Sequence, residues 1–89
     1  PGDLVQISKI IKDLTNENDL IVTDTLGDTT LLYLSERRGA PAVYEDLTLL
    51  KTKGYRYFVT QKQDVVDEII ANNTHTLKFR TDKFVLFEL

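Results

Sequence analysis

Asp19-Leu20-Ile21-Val22-Thr23-Asp24-Thr25-Leu26-Gly27-Asp28 is the stretch on which the fold turns. Leu20 to Thr23 form a short, unbroken, β-rich run. A continuous apolar run of that length suits a strand covered on both faces, as in sheets flanked by helices. Gly27-Asp28 then marks a turn, with Asp28 able to cap a helix that carries Leu31, Leu32 and Leu34. The unit is strand, polar loop, helix.

Working upstream, Leu4, Ile7, Ile11 and Leu14 form an apolar stripe at helical spacing, widened by Val5 and Ile10, with Asp3 as its expected cap. Asn16-Glu17-Asn18 ends that helix. Downstream, Gly39 is the expected left-handed residue closing the second helix. A strand is then expected at Ala42–Tyr44, and a short helix through Leu47, Leu49 and Leu50 stops at Gly54. Arg56–Thr60 is a convincing strand, since Tyr57, Phe58 and Val59 are aromatic or β-branched. Val65, Val66, Ile69 and Ile70 follow on a helix that Asn72-Asn73 terminates. The remainder reads as two strands, near His75–Arg80 and Phe84–Glu88, around a turn at Thr81-Asp82.

Strands alternating with helices predict an α/β domain, a small three-layer α/β/α sandwich. Its sheet is expected to be mostly parallel with core order 2-1-3, because crossovers are right-handed and the most apolar strand belongs in the middle. A C-terminal antiparallel hairpin extends the sheet beside the third strand, since strands joined by a tight turn cannot be parallel. Residues 1–89 show no linker or internal repeat and read as one domain.

Composition narrows the function. The net charge of −3, from 14 acids and 11 bases, offers no basic surplus for a row of phosphates, so nucleic acid is not an expected partner. The chain has no cysteine, which excludes disulfides, thiol chemistry and cysteine zinc sites. No apolar run approaches the roughly 20 residues that cross a bilayer, and nothing reads as a signal peptide.

The candidate chemistry is sparse. Ligands of open α/β sheets gather beyond the carboxyl ends of strands, which points to the loop from Asp24 to Thr30. A strand-end aspartate is a possible phosphoryl nucleophile, with Asp28 as acid/base or metal partner. The spacing loosely resembles the nucleophile loop of haloacid-dehalogenase-type phosphatases, but the further catalytic elements are missing. The plainer reading has Asp24 satisfying turn amides and Asp28 capping the next helix. Arg37-Arg38 forms a candidate anion site, for phosphate or a lipid headgroup, against the plainer reading of a helix-dipole complement. His75 is the lone histidine, with no second His or Cys nearby, so a metal site is not expected; no cofactor is expected for the domain. Tyr33, Tyr44, Tyr55, Tyr57 and Phe58 read as packing more readily than as sugar-stacking residues. Asn72-Asn73-Thr74 matches the glycosylation acceptor pattern, which arises often by chance.

Gly27-Asp28-Thr29-Thr30-Leu31-Leu32-Tyr33-Leu34-Ser35-Glu36-Arg37-Arg38-Gly39, followed by Gly54-Tyr55-Arg56-Tyr57-Phe58-Val59, resembles the soluble C-terminal segment of membrane glycosyltransferases. These are multi-spanning enzymes related to protein O-mannosyltransferases and to the aminoarabinose transferase of lipid A. The resemblance runs from about Asp19 to Leu89 in the order of elements as well as in motif. Thr30 stands where the family pattern has proline, Leu34 replaces a second tyrosine, and Glu36 replaces glycine. Ala40-Pro41 follow the string where an aromatic residue is usual. The resemblance implies a non-catalytic, extracytoplasmic domain of a polyprenyl-phosphate-sugar-dependent enzyme, a fragment of a longer membrane protein. Its expected partners are the transmembrane part of the same polypeptide and a lipid-linked sugar or acceptor. The family's catalytic acid lies in the membrane part and maps to no residue here. A free-standing small α/β binding domain is the alternative, and an Asp24-dependent phosphotransfer enzyme the third reading.

Overall fold

The computed structural model describes residues 2–89. Nine elements follow in chain order: α1 (Gly2–Leu14), β1 (Leu20–Thr23), α2 (Thr30–Leu34), β2 (Arg38–Ala40), α3 (Leu47–Thr52), β3 (Tyr55–Thr60), α4 (Gln63–Asn72), β4 (Thr76–Arg80) and β5 (Val85–Glu88). The five strands form one mixed sheet in the order β2-β1-β3-β5-β4. β1 runs parallel to both β2 and β3, while β5 pairs antiparallel with β3 and with β4. The apolar β1 run lies inside the sheet, as expected. Parallel pairing is confined to its two neighbours, so the sheet is evenly mixed rather than mostly parallel.

The alternation of strand side chains sorts the core into two clusters. On one face Ile21, Tyr57, Val59 and Leu86 meet Ile7 and Ile11 of α1 and Leu31 and Leu32 of α2. On the other, Val22, Phe58, Val85 and Phe87 meet Leu50 of α3 and Val66 and Ile69 of α4. Because β1, β3 and β5 are covered on both sides, their residues read as unbroken apolar runs rather than alternating ones.

Local chemistry sets the ends of the elements. Asp46 caps α3 by accepting from the Thr48 amide at 2.8 Å. Asn73, with φ 50°, closes α4 in the left-handed conformation. Asp3 lies within the first turn of α1 rather than before it, and its carboxylate takes the Lys83 ammonium at 3.0 Å. That pair ties α1 to the β4–β5 turn.

Two expectations fail between residues 35 and 44. The helix α2 ends at Leu34, and Gly39 is not its closing residue. Glu36, with φ 54°, takes the left-handed position instead. Its amide donates to Tyr33 O at 3.1 Å and the Arg37 amide to Leu32 O at 3.0 Å, the paired bonds of a Schellman ending. The chain therefore enters its second strand at Arg38 rather than Ala42. Gly39 lies in that strand opposite Ile21, where an added Cβ would stand 1.7 Å from Ile21 O. Only glycine admits that approach, and Pro41 to Tyr44 become loop.

Candidate functional site

The order β2-β1-β3 places a topological switch point between β1 and β3. The crossover through α2 leads from β1 to one side, and the crossover through α3 returns to the other. Crevices at the carboxyl ends of such strands are where open α/β sheets hold ligands. Here that position carries a cleft of about 300 Å³, lined by Asp24, Leu26, Ala42, Val43, Leu47, Phe58, Lys62 and Val65.

The cleft is built by short-range bonding at three strand ends. Thr25 and Gly27 both donate their amides to Pro41 O at 3.1 Å, which joins the loop after β1 to the loop after β2. The Thr25 hydroxyl contacts Thr23 Oγ1 at 2.8 Å and donates to Asp28 O at 2.6 Å. Between them, Leu26 and Gly27 have φ 55° and 94°, and the Asp28 amide closes the turn onto Thr25 O at 3.1 Å. Leucine is rarely found in this left-handed conformation. The turn leaves Leu26 85% exposed at the rim.

Asp24 extends beyond β1, half-buried, and its Oδ2 accepts from the buried Thr60 hydroxyl at the end of β3. Thr60 Oγ1 in turn accepts from the Lys62 amide at 3.0 Å. One hydroxyl thus fixes both the strand-end acid and the start of α4. Among the described residues, nothing donates to Asp24 Oδ1, and Lys62 Nζ forms no ion pair.

The other candidates separate from this cleft. Asp28 is exposed and does not line it; its Oδ1 accepts from the Thr30 amide at 2.9 Å and the Thr30 hydroxyl at 2.6 Å. The hydroxyl, then the amide, hold the Asp28 carboxyl below its ordinary pKa. Asp28 lies one residue before the N-cap Thr29, which makes no side-chain cap bond, and braces the start of α2 through Thr30. Asp24 bonds the Thr60 hydroxyl rather than the turn amides that the plainer reading gives it. Asp24 thus lines the cleft, whereas Asp28 is engaged with Thr30 outside it. Among the described residues, no three His, Asp or Glu side chains converge to hold a metal ion.

Arg37 and Arg38 are likewise not an exposed pair at a helix end. Arg37 is only 8% exposed and lies beyond α2. Its Nε donates to Thr15 Oγ1 at 2.9 Å, and its Nη2 to Lys12 O and Thr15 O, each at 3.0 Å. Its Nη1 donates to Glu36 O at 3.1 Å and Ser35 O at 3.5 Å. All five guanidinium N–H groups are engaged. Arg37 supplies partners for the carbonyls at the end of α1, where a cation is also favoured by the helix dipole. Arg38 alone remains exposed, on the outer strand β2.

His75 lies beside α3 at a second depression, of about 260 Å³, with Asp46 and Glu68 on its wall. Burial, then the Lys51 charge, lowers its pKa against the opposing pull of Asp46. Sequence reading located Asp24 but missed Lys62, Val43, Phe58 and Val65, which converge only when the strand order is known. The Leu26-Gly27 pair was the one local signal of a shaped rim. Comparison with family models, with curated proteins and with solved structures finds no match to this chain.

Proposed function

We propose that the chain is the non-catalytic extracytoplasmic domain of a polyprenyl-phosphate-sugar-dependent integral-membrane glycosyltransferase. Its role is to cover the membrane active site or to contact the acceptor or a partner. One observation carries the reading. Where the family string has glycine, this chain has Glu36, the residue that adopts the left-handed helix ending at φ 54°. A glycine is the favoured occupant of that position, so the family pattern fits the backbone found here even where the side chain departs from it.

The rest of the string fits the same reading. Leu31 and Leu32 are buried in the core, the Ser35 hydroxyl donates to Leu31 O at 2.7 Å, and Arg37 ties α2 to α1. Gly39 allows β2 to approach β1. These residues are determinants of a fold, and the string is best taken as the signature of a shared module rather than a shared ligand contact. In this reading the module is a small three-layer α/β/α sandwich derived from a parallel 2-1-3 core.

The reading frame that encodes the chain provides the first test. Several apolar spans of roughly 20 residues each are expected ahead of Pro1, and their absence would overturn the proposal. In the full-length enzyme, removal of residues 1–89 is expected to reduce sugar transfer, while the isolated chain transfers none. The second reading, a free-standing small α/β binding or interaction domain, would use the same cleft without any membrane part. The phosphotransfer reading requires magnesium-dependent hydrolysis of a phosphate ester that Asp24→Asn abolishes; none is expected.

A further inference from the structure

We infer that the cleft at the carboxyl ends of β1 and β3 binds a small zwitterion with an apolar side chain, of the amino-acid class. Its ammonium group meets Asp24 and its carboxylate meets Lys62. The inference is independent of the glycosyltransferase reading and stands or falls separately.

Position, size and wall chemistry converge on it. The cleft occupies the switch point of the sheet, and its volume of about 300 Å³ is at the lower end of small-molecule sites. Ala42, Val43, Leu47, Phe58 and Val65 make the wall apolar, which fits an aliphatic or aromatic side chain and not a sugar. Two charges break that wall. Asp24 spends one carboxylate oxygen on Thr60 and keeps the other free of described donors. Lys62 carries an ammonium with no carboxylate within ion-pair distance, and the two charges do not bridge each other.

A ligand with one cation and one anion satisfies both groups at once. A phosphate would meet Lys62 but be repelled by Asp24, and a single carboxylate is a poor donor set for a hard cation. The groups are also held in advance. Thr60 fixes Asp24 and the start of α4, and the bonds to Pro41 O hold the loop that carries Leu26 against the loop that carries Val43. Preorganisation of this kind reduces the ordering cost of binding.

Phenylalanine is the probe, with hydrocinnamate and phenethylamine as analogues lacking the ammonium and the carboxylate respectively. Amide resonances of the full chain are followed by NMR during titration. Saturable shifts are expected at Val43, Phe58 and Val65, with each analogue binding roughly tenfold more weakly than phenylalanine, about the worth of one charged hydrogen bond. Lys62→Gln should weaken phenylalanine and hydrocinnamate but leave phenethylamine unchanged. Asp24→Asn should do the reverse, weakening phenylalanine and phenethylamine only. If Asp24→Asn fails to fold, the exposed Lys62→Gln still decides the matter through its contrast between the analogues. Absence of saturable shifts with phenylalanine, or equal binding of the three probes, would overturn the assignment.

Discussion

At Gly39 and Gly27 the same substitution has two different costs. A Cβ on Gly39 would stand 1.7 Å from Ile21 O, inside a backbone that the β1–β2 pairing holds in place. Gly39→Ala is therefore expected to cost more than about 3 kcal/mol, since neither strand can yield without breaking the ladder. Gly27, at φ 94°, has nothing within 4 Å of the same atom. There only backbone strain acts, and Gly27→Ala should cost about 1 kcal/mol. Denaturant titration of both variants measures the contrast, and equal losses would mean that β2 does not press on β1 as described. The adjacent arginines differ in the same way. Arg37→Gln leaves Lys12 O and Thr15 O without their donor and should cost about 2–3 kcal/mol, while Arg38→Gln should stay within about 0.5 kcal/mol. A double substitution of the pair by glutamate is thus expected to unfold the domain, which makes it unusable as a probe of ligand binding.

The elements show which structural decisions are local and which are not. β1, β3 and α4 were legible because each carries its own signal: an apolar run, an aromatic run, and a helical stripe closed by Asn73. β2 carries none. Arg38-Gly39-Ala40 has no β-forming residue, and its pairing depends on Ile21, which is distant in sequence. The same holds for Arg37, whose local context suggests a solvated helix end; two of the carbonyls that engage it, Lys12 O and Thr15 O, come from the end of α1, far upstream. Strand-end Asp24 could be found from sequence, whereas Lys62 joins it only through the neighbouring of β1 and β3. The ending of α2 offers a test of local preference. Glu36 adopts φ 54° at a position where glycine is favoured. Its carboxyl is held below the ordinary pKa by the Lys12 ammonium, an exposed pair of little net worth. Glu36→Gly is expected to raise the melting midpoint by a few degrees, because relief of the backbone outweighs loss of the pair. A lower midpoint would place the value of Glu36 in its side chain.

His75 links the junction of α4 and β4 to the pH dependence of the whole domain. Burial and Lys51 lower its pKa on folding, so the unfolded chain binds the proton more readily. By linkage, stability rises with pH in that range, is fully present above the ordinary histidine value, and is lost as pH falls toward the folded value. The melting midpoint should fall modestly between about pH 7.5 and 5.5, bracketing the ordinary histidine pKa, and His75→Gln should flatten the profile there. Asp28 and Glu36, with lowered values, contribute a separate loss only below the ordinary carboxylate range. An unchanged slope in His75→Gln would assign the midpoint's pH dependence to other groups.

At the scale of the whole molecule, the last strand joins the two cores. β5 lies between β3 and β4, so every strand-to-strand path to β4 passes through it. Its side chains alternate between the two cores: Leu86, fully buried, joins the α1–α2 side, while Val85 and Phe87 join the α3–α4 side. Phe87 also stacks on Phe58 of β3, with ring centroids 6.4 Å apart. Loss of β5 would strip one wall from each cluster and leave β3 with an unpaired edge. The two faces should therefore not unfold independently, because one strand contributes buried side chains to both. Phe87→Ala is expected to cost about 3–5 kcal/mol, a large part of the 5–15 kcal/mol typical of a domain. If the sheet unites the cores, amide hydrogen exchange in Phe87→Ala will accelerate together at Ile21 and Val22, which point to opposite faces. Acceleration at Val22 with full protection retained at Ile21 would show two separable units. Removal of residues 85–89 should abolish cooperative melting altogether, since the remaining strands retain neither core intact.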